Sequence, residues 1–264
     1  MGSENGWRPR LVACDVDGTL VDHDGRLPTA VGEAINLVLA AGVPVVLATG
    51  RSWHGTLPLV EEMGLPPGSS VCSNGAVIVR YPPEEIVKAV TFDPREVIKR
   101  VEEFAPGTLI AVEEIGRGYR LNNHFPGGDL TGEMIIEDVE QLSARPVTRI
   151  ILRDPTRSDK DFVGLARHLG LDGVTYFVGW SAWLDIAPAG VNKATALAEV
   201  AAGLGIPAAD VLAFGDGRND IEMLTYAGLG IAMDSAPDEV KAAADEVTKS
   251  VQDDGVAAVL NRWF

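Results

Sequence analysis

The sequence predicts an α/β chain built on a parallel sheet and interrupted once by an α+β module. Three observations carry that prediction. Short apolar runs alternate with stretches of helical period near both ends of the chain. The runs end in small or polar residues, which is where open parallel sheets bind ligands. Between two proline-containing breaks, Tyr81-Pro82-Pro83 and Ala187-Pro188-Ala189-Gly190, the alternation gives way to paired strand-like runs and two helices.

Residues 11–13 form an apolar run that predicts a buried strand, and Asp15 and Asp17 follow at its end. In an extended segment residues i and i+2 point the same way, so both carboxylates face one cleft unless the chain bends at Val16 or Gly18. Two like charges that close raise each other's pKa unless a cation intervenes. Either a metal lies there or one carboxylate is protonated for acid–base work; a strand-end Asp beside a turn is otherwise a plain cap. Asp22-His23-Asp24-Gly25 is a turn signal. Val31, Ala34, Ile35, Val38 and Leu39 then form one helical face, with Gly42 as its stop. A β-rich run over 43–48 ends in Thr49-Gly50-Arg51, and so compact a strand–helix–strand implies a right-handed parallel crossover. A third run ends at Val71-Cys72, before Ser73-Asn74-Gly75.

In the insert, Asp93 and Pro94 open a helix whose face is Val97, Ile98, Val101 and Phe104. Strand-like runs follow at 109–112, 119–121, 147–152 and 174–178, with a second helix over 159–169 that stops at Gly170. The insert spans 84–187, about 100 residues and a usual domain size; the core takes 1–83 and 188–264, and the two breaks read as paired hinges. The core rhythm resumes at Gly190-Val191-Asn192-Lys193, which begins a helix facing inward with Leu197, Val200, Ala201 and Leu204. A strand over 211–214 ends in Gly215-Asp216-Gly217-Arg218-Asn219-Asp220; a helix over 221–226, stopped by Gly228, and a strand over 229–232 follow. The glycines let backbone approach a ligand closely, and Asp216 and Asp220 then face the cleft of Asp15 and Asp17.

With these motifs in order, the chain resembles the haloacid dehalogenase-like phosphohydrolases, in the Cof-like branch with a type IIB cap, over nearly its whole length. Asp15-Val16-Asp17-Gly18-Thr19-Leu20 is similar to the family's first motif, which implies Asp15 as nucleophile and Asp17 as general acid/base. Thr49, in Ala-Thr-Gly-Arg, resembles the phosphate-binding hydroxyl of the second motif, and Lys193 the cation of the third. The run from Gly215 to Asp220 resembles the fourth, whose acids hold magnesium. The resemblance implies a Rossmann-like core, a mobile cap inserted between the second and third motifs, and magnesium held by Asp15, Asp17 through its backbone carbonyl, Asp216 and Asp220. Thr49, Gly50, Asn74, Lys193 and Asn219 are the candidate substrate-binding positions. Met233-Asp234-Ser235-Ala236 departs from the family's usual Gly-Asn. The implied reaction is hydrolysis of a small phosphate monoester, with a sugar phosphate the expected substrate, through an aspartyl-phosphate. A phosphomutase of the phosphomannomutase type and a non-catalytic phosphometabolite-binding regulator are the alternatives.

The remaining residues have plainer readings beside these. Asp220 also reads as a helix N-cap, Asn74 as a turn residue, Thr49 as a strand-end hydroxyl and Lys193 as a solvated first-turn lysine. His23, His54 and His168 lack metal spacing and read as surface residues, and Asp253-Asp254 as solvated surface. Trp180 and Trp183 read as packing residues before sugar platforms. Arg120, Asn122, His124, Arg149 and Arg153 on the insert are candidates to select the leaving group.

Composition sets the outer bounds. The chain has 264 residues, 46% of them hydrophobic, enough for a full core in one or two domains. A net charge of -16 argues against non-specific binding to nucleic acid or an anionic membrane, although a local cation still admits a small phosphorylated metabolite. The partner is therefore expected to be that metabolite, with no nucleic acid and no membrane, and the protein a monomer or weak homodimer. Two cysteines and a polar N-terminus without a signal-peptide core predict reduced thiols and a cytoplasmic location. The strand ending at Cys72, then the 43–48 strand, then the strand ending at Cys14 is the expected order, which puts the thiols about 10 Å apart, beyond a disulfide.

Overall fold

A computed structural model describes residues 6–156, 174–178 and 183–264. β1 (Leu11–Cys14) is wholly buried and lies at the heart of the core. It is followed by α1 (Thr29–Ala40), β2 (Val45–Leu47), α2 (Trp53–Glu62), β3 (Gly68–Cys72), β4 (Val77–Tyr81) and β5 (Glu85–Ala89). The cap holds α3 (Arg95–Phe104), β6 (Leu109–Glu114), β7 (Gly118–Leu121), β8 (Glu133–Ile136), α4 (Val139–Ser143), β9 (Ile150–Arg153), β10 (Val174–Val178) and β11 (Trp183–Pro188). The chain returns to the core with α5 (Lys193–Gly203), β12 (Val211–Gly215), α6 (Ile221–Tyr226), β13 (Leu229–Ala232), α7 (Asp238–Ala243), β14 (Glu246–Val247) and α8 (Gly255–Leu260).

The core sheet is parallel in the order β14-β13-β12-β1-β2. The strand period of two sorts β1 between two layers. Val12 and Cys14 join Ile35, Val38, Val256 and Leu260 on one face, while Leu11 and Ala13 join Leu197, Ala201, Met223 and Leu224 on the other. Helices thus cover both faces, as a buried parallel sheet requires. β3 lies beside β2 and pairs with that side of the sheet at the bridge Ala48–Val71, with Thr49 N–H donating to the Val71 carbonyl at 2.9 Å. That keeps the expected order β3, β2, β1, and Cys14 and Cys72 are both buried free thiols. Burial pushes the Cys72 thiol up to about 12 and Cys14 further still, so both are inert.

The cap sheet runs β10-β11-β9-β6-β7-β8. One face buries Val97, Ile98 and Val101 of α3 together with Leu142 of α4. The other, with Tyr119, Leu121 and Ile151, packs against Phe125, Leu130 and Trp183.

Several expectations need correction. Phe104 does not complete the α3 face: it is 57% exposed, and Ala105 is buried in its place. Leu204 caps α5 and is half exposed, because it lies beyond the last inward turn. Pro82-Pro83 is no hinge. It forms the turn of the β4–β5 hairpin, so residues 85–89 run along β4 beside the core and the crossing to the cap comes after Ala89. The return crossing runs through Ala189 and Gly190. Helix α2 was not legible from periodicity, since Gly55 and Pro58 dilute its signal. It is held by the Ser52 N-cap and by burial of Trp53, Thr56, Leu59 and Val60. Asp253-Asp254 is structural as well as polar, Asp254 adopting a left-handed conformation that opens α8. The expected helix over 159–169, His168 and Trp180 lie outside the described residues. Among the described residues, no helix is long and apolar enough to cross a membrane.

Candidate active site

Asp15 follows β1 directly, its N–H donating to the Phe214 carbonyl at 2.9 Å. The chain then turns rather than staying extended. Leu20 and Val21 N–H groups donate to the Val16 carbonyl, and Gly18 takes a φ of +81°. That turn separates the two aspartates: Asp15 is buried, while Asp17 is largely exposed with its carboxylate on Arg51. A Cβ at Gly18 would lie 2.3 Å from Asp216 Oδ2, so only glycine lets this loop close on the end of β12.

Asp216 and Asp220 come from the loop after β12. Asp220 is fully buried, and its Oδ2 accepts the N–H groups of Asp216 at 3.0 Å and Gly217 at 2.8 Å. Lys193 opens α5, which Asn192 caps by accepting the Thr195 N–H. The lysine is fully buried, and its Nζ donates to Asp15 Oδ1 at 2.6 Å and Asp220 Oδ1 at 2.7 Å. It is no solvated first-turn lysine. Asp15, Asp216 and Asp220 each offer an oxygen, all within 4.8 Å of one another, and Thr19 Oγ1 donates to Asp216 Oδ1 at 3.3 Å.

The electrostatics of this cluster are unbalanced. Burial pushes the Asp15 carboxyl well above its usual range, and the charge on Asp220 adds to the rise while Lys193 opposes it. Burial and then Asp220 push Asp216 up to about 7. Burial works against the charge of Lys193, but Asp15 and Asp220 outweigh it and hold the ammonium above its usual range. Three carboxylates against one ammonium are a hard-oxygen donor set short of positive charge, which fits a divalent cation such as magnesium. The Asp17 carboxylate is not part of this cluster.

The other expected residues lie around the cluster. Thr49 is buried, its Oγ1 accepting the Arg51 N–H at 3.0 Å. Asn74 is buried at a φ of +54°, and its Oδ1 accepts from Asn219 Nδ2 at 2.8 Å. Gly50 lines a cleft of about 410 Å³ between core and cap, together with Asp17, Arg51, Asp129, Arg149 and Asp185. Arg149 reaches across from the cap to donate to the Gly50 carbonyl and also to the Tyr119 hydroxyl. Glu113 answers from the cap by accepting from core Ser73 Oγ at 2.8 Å.

Of the five cap candidates, only Arg149 lines this cleft among the described residues. Arg120 is buried inside the cap on Glu114 and Glu137, each at 3.0 Å. Asn122 bonds the backbone at Ile110 and Thr108, and His124 is exposed. Arg153 pairs with Asp129 at 2.9 Å. Trp183 lines the cleft and donates Nε1 to Asp185 Oδ2 at 3.0 Å. Sequence reasoning missed Arg51, Asp129 and Asp185. Arg51 alone carried a signal, as the polar residue directly after Thr49-Gly50 at a strand end.

A family model described as haloacid dehalogenase-like hydrolase matches residues 12–260. The 5-amino-6-(5-phospho-D-ribitylamino)uracil phosphatase YitU of Bacillus subtilis (strain 168) is 26% identical, covering 97% of this chain and 98% of its own. A solved haloacid dehalogenase-like hydrolase from Bacteroides thetaiotaomicron is 26% identical, covers 98% of this chain and 100% of its own, and superposes with a TM-score of 0.81. A sugar phosphatase of subclass IIB of the same superfamily shares the fold, with a TM-score of 0.82 at 24% identity over 95% of this chain and 97% of its own.

Proposed function

The chain belongs to the haloacid dehalogenase-like hydrolases and is a phosphoric monoester hydrolase of that family, and we propose that it is a magnesium-dependent phosphatase of small sugar or sugar-alcohol phosphates working through Asp15. The observation that carries this reading is the buried Asp15 carboxylate, gripped by Lys193 on one oxygen and clustered with Asp216 and Asp220. The similarity to a phosphatase of a phosphoribityl compound supports the substrate class.

Asp15, Asp216 and Asp220, with the Asp17 carbonyl, would hold magnesium, whose charge offsets the repulsion between a carboxylate and a phosphate dianion. Lys193 fixes the Asp15 carboxylate by one oxygen and places a compact positive charge beside the transferring phosphoryl oxygens. The Thr49 hydroxyl, whose oxygen accepts the Arg51 N–H and whose proton can be donated to phosphate, adds to the cradle, while the N–H groups of residues 18–21 are committed to the Val16 and Val21 carbonyls. Asp15 attacks phosphorus, the bond to the ester oxygen breaks, and the leaving alcohol takes a proton from Asp17. Water then attacks the aspartyl-phosphate and gives its proton to Asp17, freeing inorganic phosphate and Asp15. Asp17 is held by Arg51 at 2.5 Å beside the site.

Phosphate release from p-nitrophenyl phosphate and a panel of sugar phosphates tests the reading. Release that depends on added magnesium and stops on chelation is expected. Activity indifferent to chelation would overturn the metal assignment, and none on any ester would overturn the phosphatase itself.

A further inference from the structure

Resting on the phosphatase reading above, we propose that Asp185, Arg149 and Asp129 form the leaving-group half of the cleft and select monophosphates of uncharged, hydroxyl-bearing leaving groups over esters with a second phosphate. These three side chains come from separate cap segments: Asp185 from β11, Arg149 from just before β9, and Asp129 from the β7–β8 connection. All line the cleft that holds Asp17.

Hydrogen bonding argues for the hydroxyls. Arg149 Nε lies 3.6 Å from Asp185 Oδ1 and 3.7 Å from Glu113 Oε2, close enough for attraction and too far for a hydrogen bond. Among the described residues, neither Arg149 Nε nor Asp185 Oδ1 makes a hydrogen bond of good geometry, and the buried Asn74 Nδ2, which faces the Asp185 carboxylate from the core side, makes none either. Orphaned buried groups of this kind are costly unless something satisfies them. A leaving-group hydroxyl that parts the guanidinium from the carboxylate and bridges them satisfies both at once, accepting from the first and donating to the second. Trp183 Nε1 holds the other Asp185 oxygen, which fixes the carboxylate for that contact.

Charge argues against a second phosphate. Among the described residues that line the cleft, three are carboxylates and two are guanidiniums. Both guanidiniums are already engaged. Arg51 grips Asp17 through two N–H groups at 2.9 and 2.5 Å, and Arg149 lies between Glu113 and Asp185. Asp129 is held on Arg153. A second dianion would meet Asp129 and Asp185 and would have to displace a carboxylate from its partner. A mutase needs a doubly phosphorylated sugar to stay bound between its two transfers, so the same charge pattern favours hydrolysis over mutase chemistry.

The test compares kcat/KM of the purified full chain with magnesium on hexose and pentitol monophosphates, a hexose 1,6-bisphosphate and p-nitrophenyl phosphate. The polyol monophosphates are expected to exceed the bisphosphate by about tenfold or more. Asp185→Asn is expected to lower the polyol-to-p-nitrophenyl ratio by about tenfold, because a buried polar contact to the leaving group is lost. Asp129→Asn is expected to narrow the monophosphate-to-bisphosphate ratio; Asp129 is only half-buried, so this variant carries the test should Asp185→Asn fail to fold. Equal rates on mono- and bisphosphates, or unchanged ratios in the folded variants, would overturn this inference while leaving the phosphatase standing. No release from any ester, p-nitrophenyl phosphate included, would instead remove the phosphatase reading, and this inference with it.

Discussion

A fully buried lysine keeps its charge only where carboxylates answer it, and Lys193 is answered by Asp15 and Asp220. The two sides of that ion triad make different predictions. Asp15→Asn keeps the shape of the side chain and an acceptor for Lys193 but removes the proposed nucleophile. Turnover is expected to fall by at least about a thousandfold with the far-ultraviolet spectrum unchanged; phosphate release near the wild-type rate would refute Asp15 as nucleophile. Lys193→Met strands two buried carboxylates, and in the metal-free protein it is expected to cost about 3 kcal/mol in urea unfolding. An unmoved midpoint would show that the lysine is not holding the acids together. The acids and the lysine were legible in the sequence because each lies one step beyond an apolar strand or at a helix start. Arg51 on Asp17, and Arg149 between Glu113 and Asp185, were not. Those pairs join residues that only tertiary packing brings together, and no local period marks them.

At the scale of elements, the start of α5 is placed by a backbone contact that permits no side chain. Gly75 has a φ of +97°, and a Cβ there would lie 2.1 Å from the Asn192 carbonyl oxygen, next to Lys193. Gly42 has a φ of +75° with nothing within 4 Å of such a Cβ. Both Ala substitutions meet left-handed strain, of order 1 kcal/mol, but only Gly75→Ala also pushes α5 away from the site. It is expected to destabilise the protein more than Gly42→Ala and to lower kcat, whereas Gly42→Ala touches stability alone. Equal melting points and equal rates would show that the packing at Gly75 is slack. The same contrast between local and tertiary control explains which elements were readable. The face of α1 and the strand–helix rhythm of the core follow from period and burial. The cap boundary was misjudged because prolines mark turns as readily as linkers, and Pro82-Pro83 makes a turn. β8 was not anticipated because Glu133–Ile136 is an edge strand, partly exposed and without alternation. Phe104 was misassigned because helical spacing placed it on the apolar face, while the helix ends there and turns it outward.

For the whole molecule, stability should depend on pH in a direction that the buried acids dictate. Asp15 and Asp216 are pushed up by burial first and by the charge of Asp220 next, Asp216 to about 7, whereas in the unfolded chain both titrate near 4. Between those values the folded state retains protons that the unfolded chain has released. A raised folded pKa means stability that is full below about 4 and is lost as pH rises through about 7. Lys193 is also raised, but its contribution is lost only in strongly alkaline solution, so it does not cancel the slope. Asp93, held near 2 by Arg95, works in the opposite sense and only below the window. Chelated protein is therefore expected to melt at progressively lower temperature from pH 5 to pH 8. Magnesium, which needs the carboxylates ionised, should raise the melting point more at the upper end than at the lower. Self-repulsion from a net charge of -16 also grows with pH, and Asp216→Asn separates the two. That variant removes one of the two buried titrations, and the charge of Asp216 beside Asp15, while leaving the surface charge almost unchanged, so its melting point should vary less across the window. A chelated wild-type protein whose melting point held level or rose from pH 5 to pH 8 would mean that the three acids are not buried together as the structure has them.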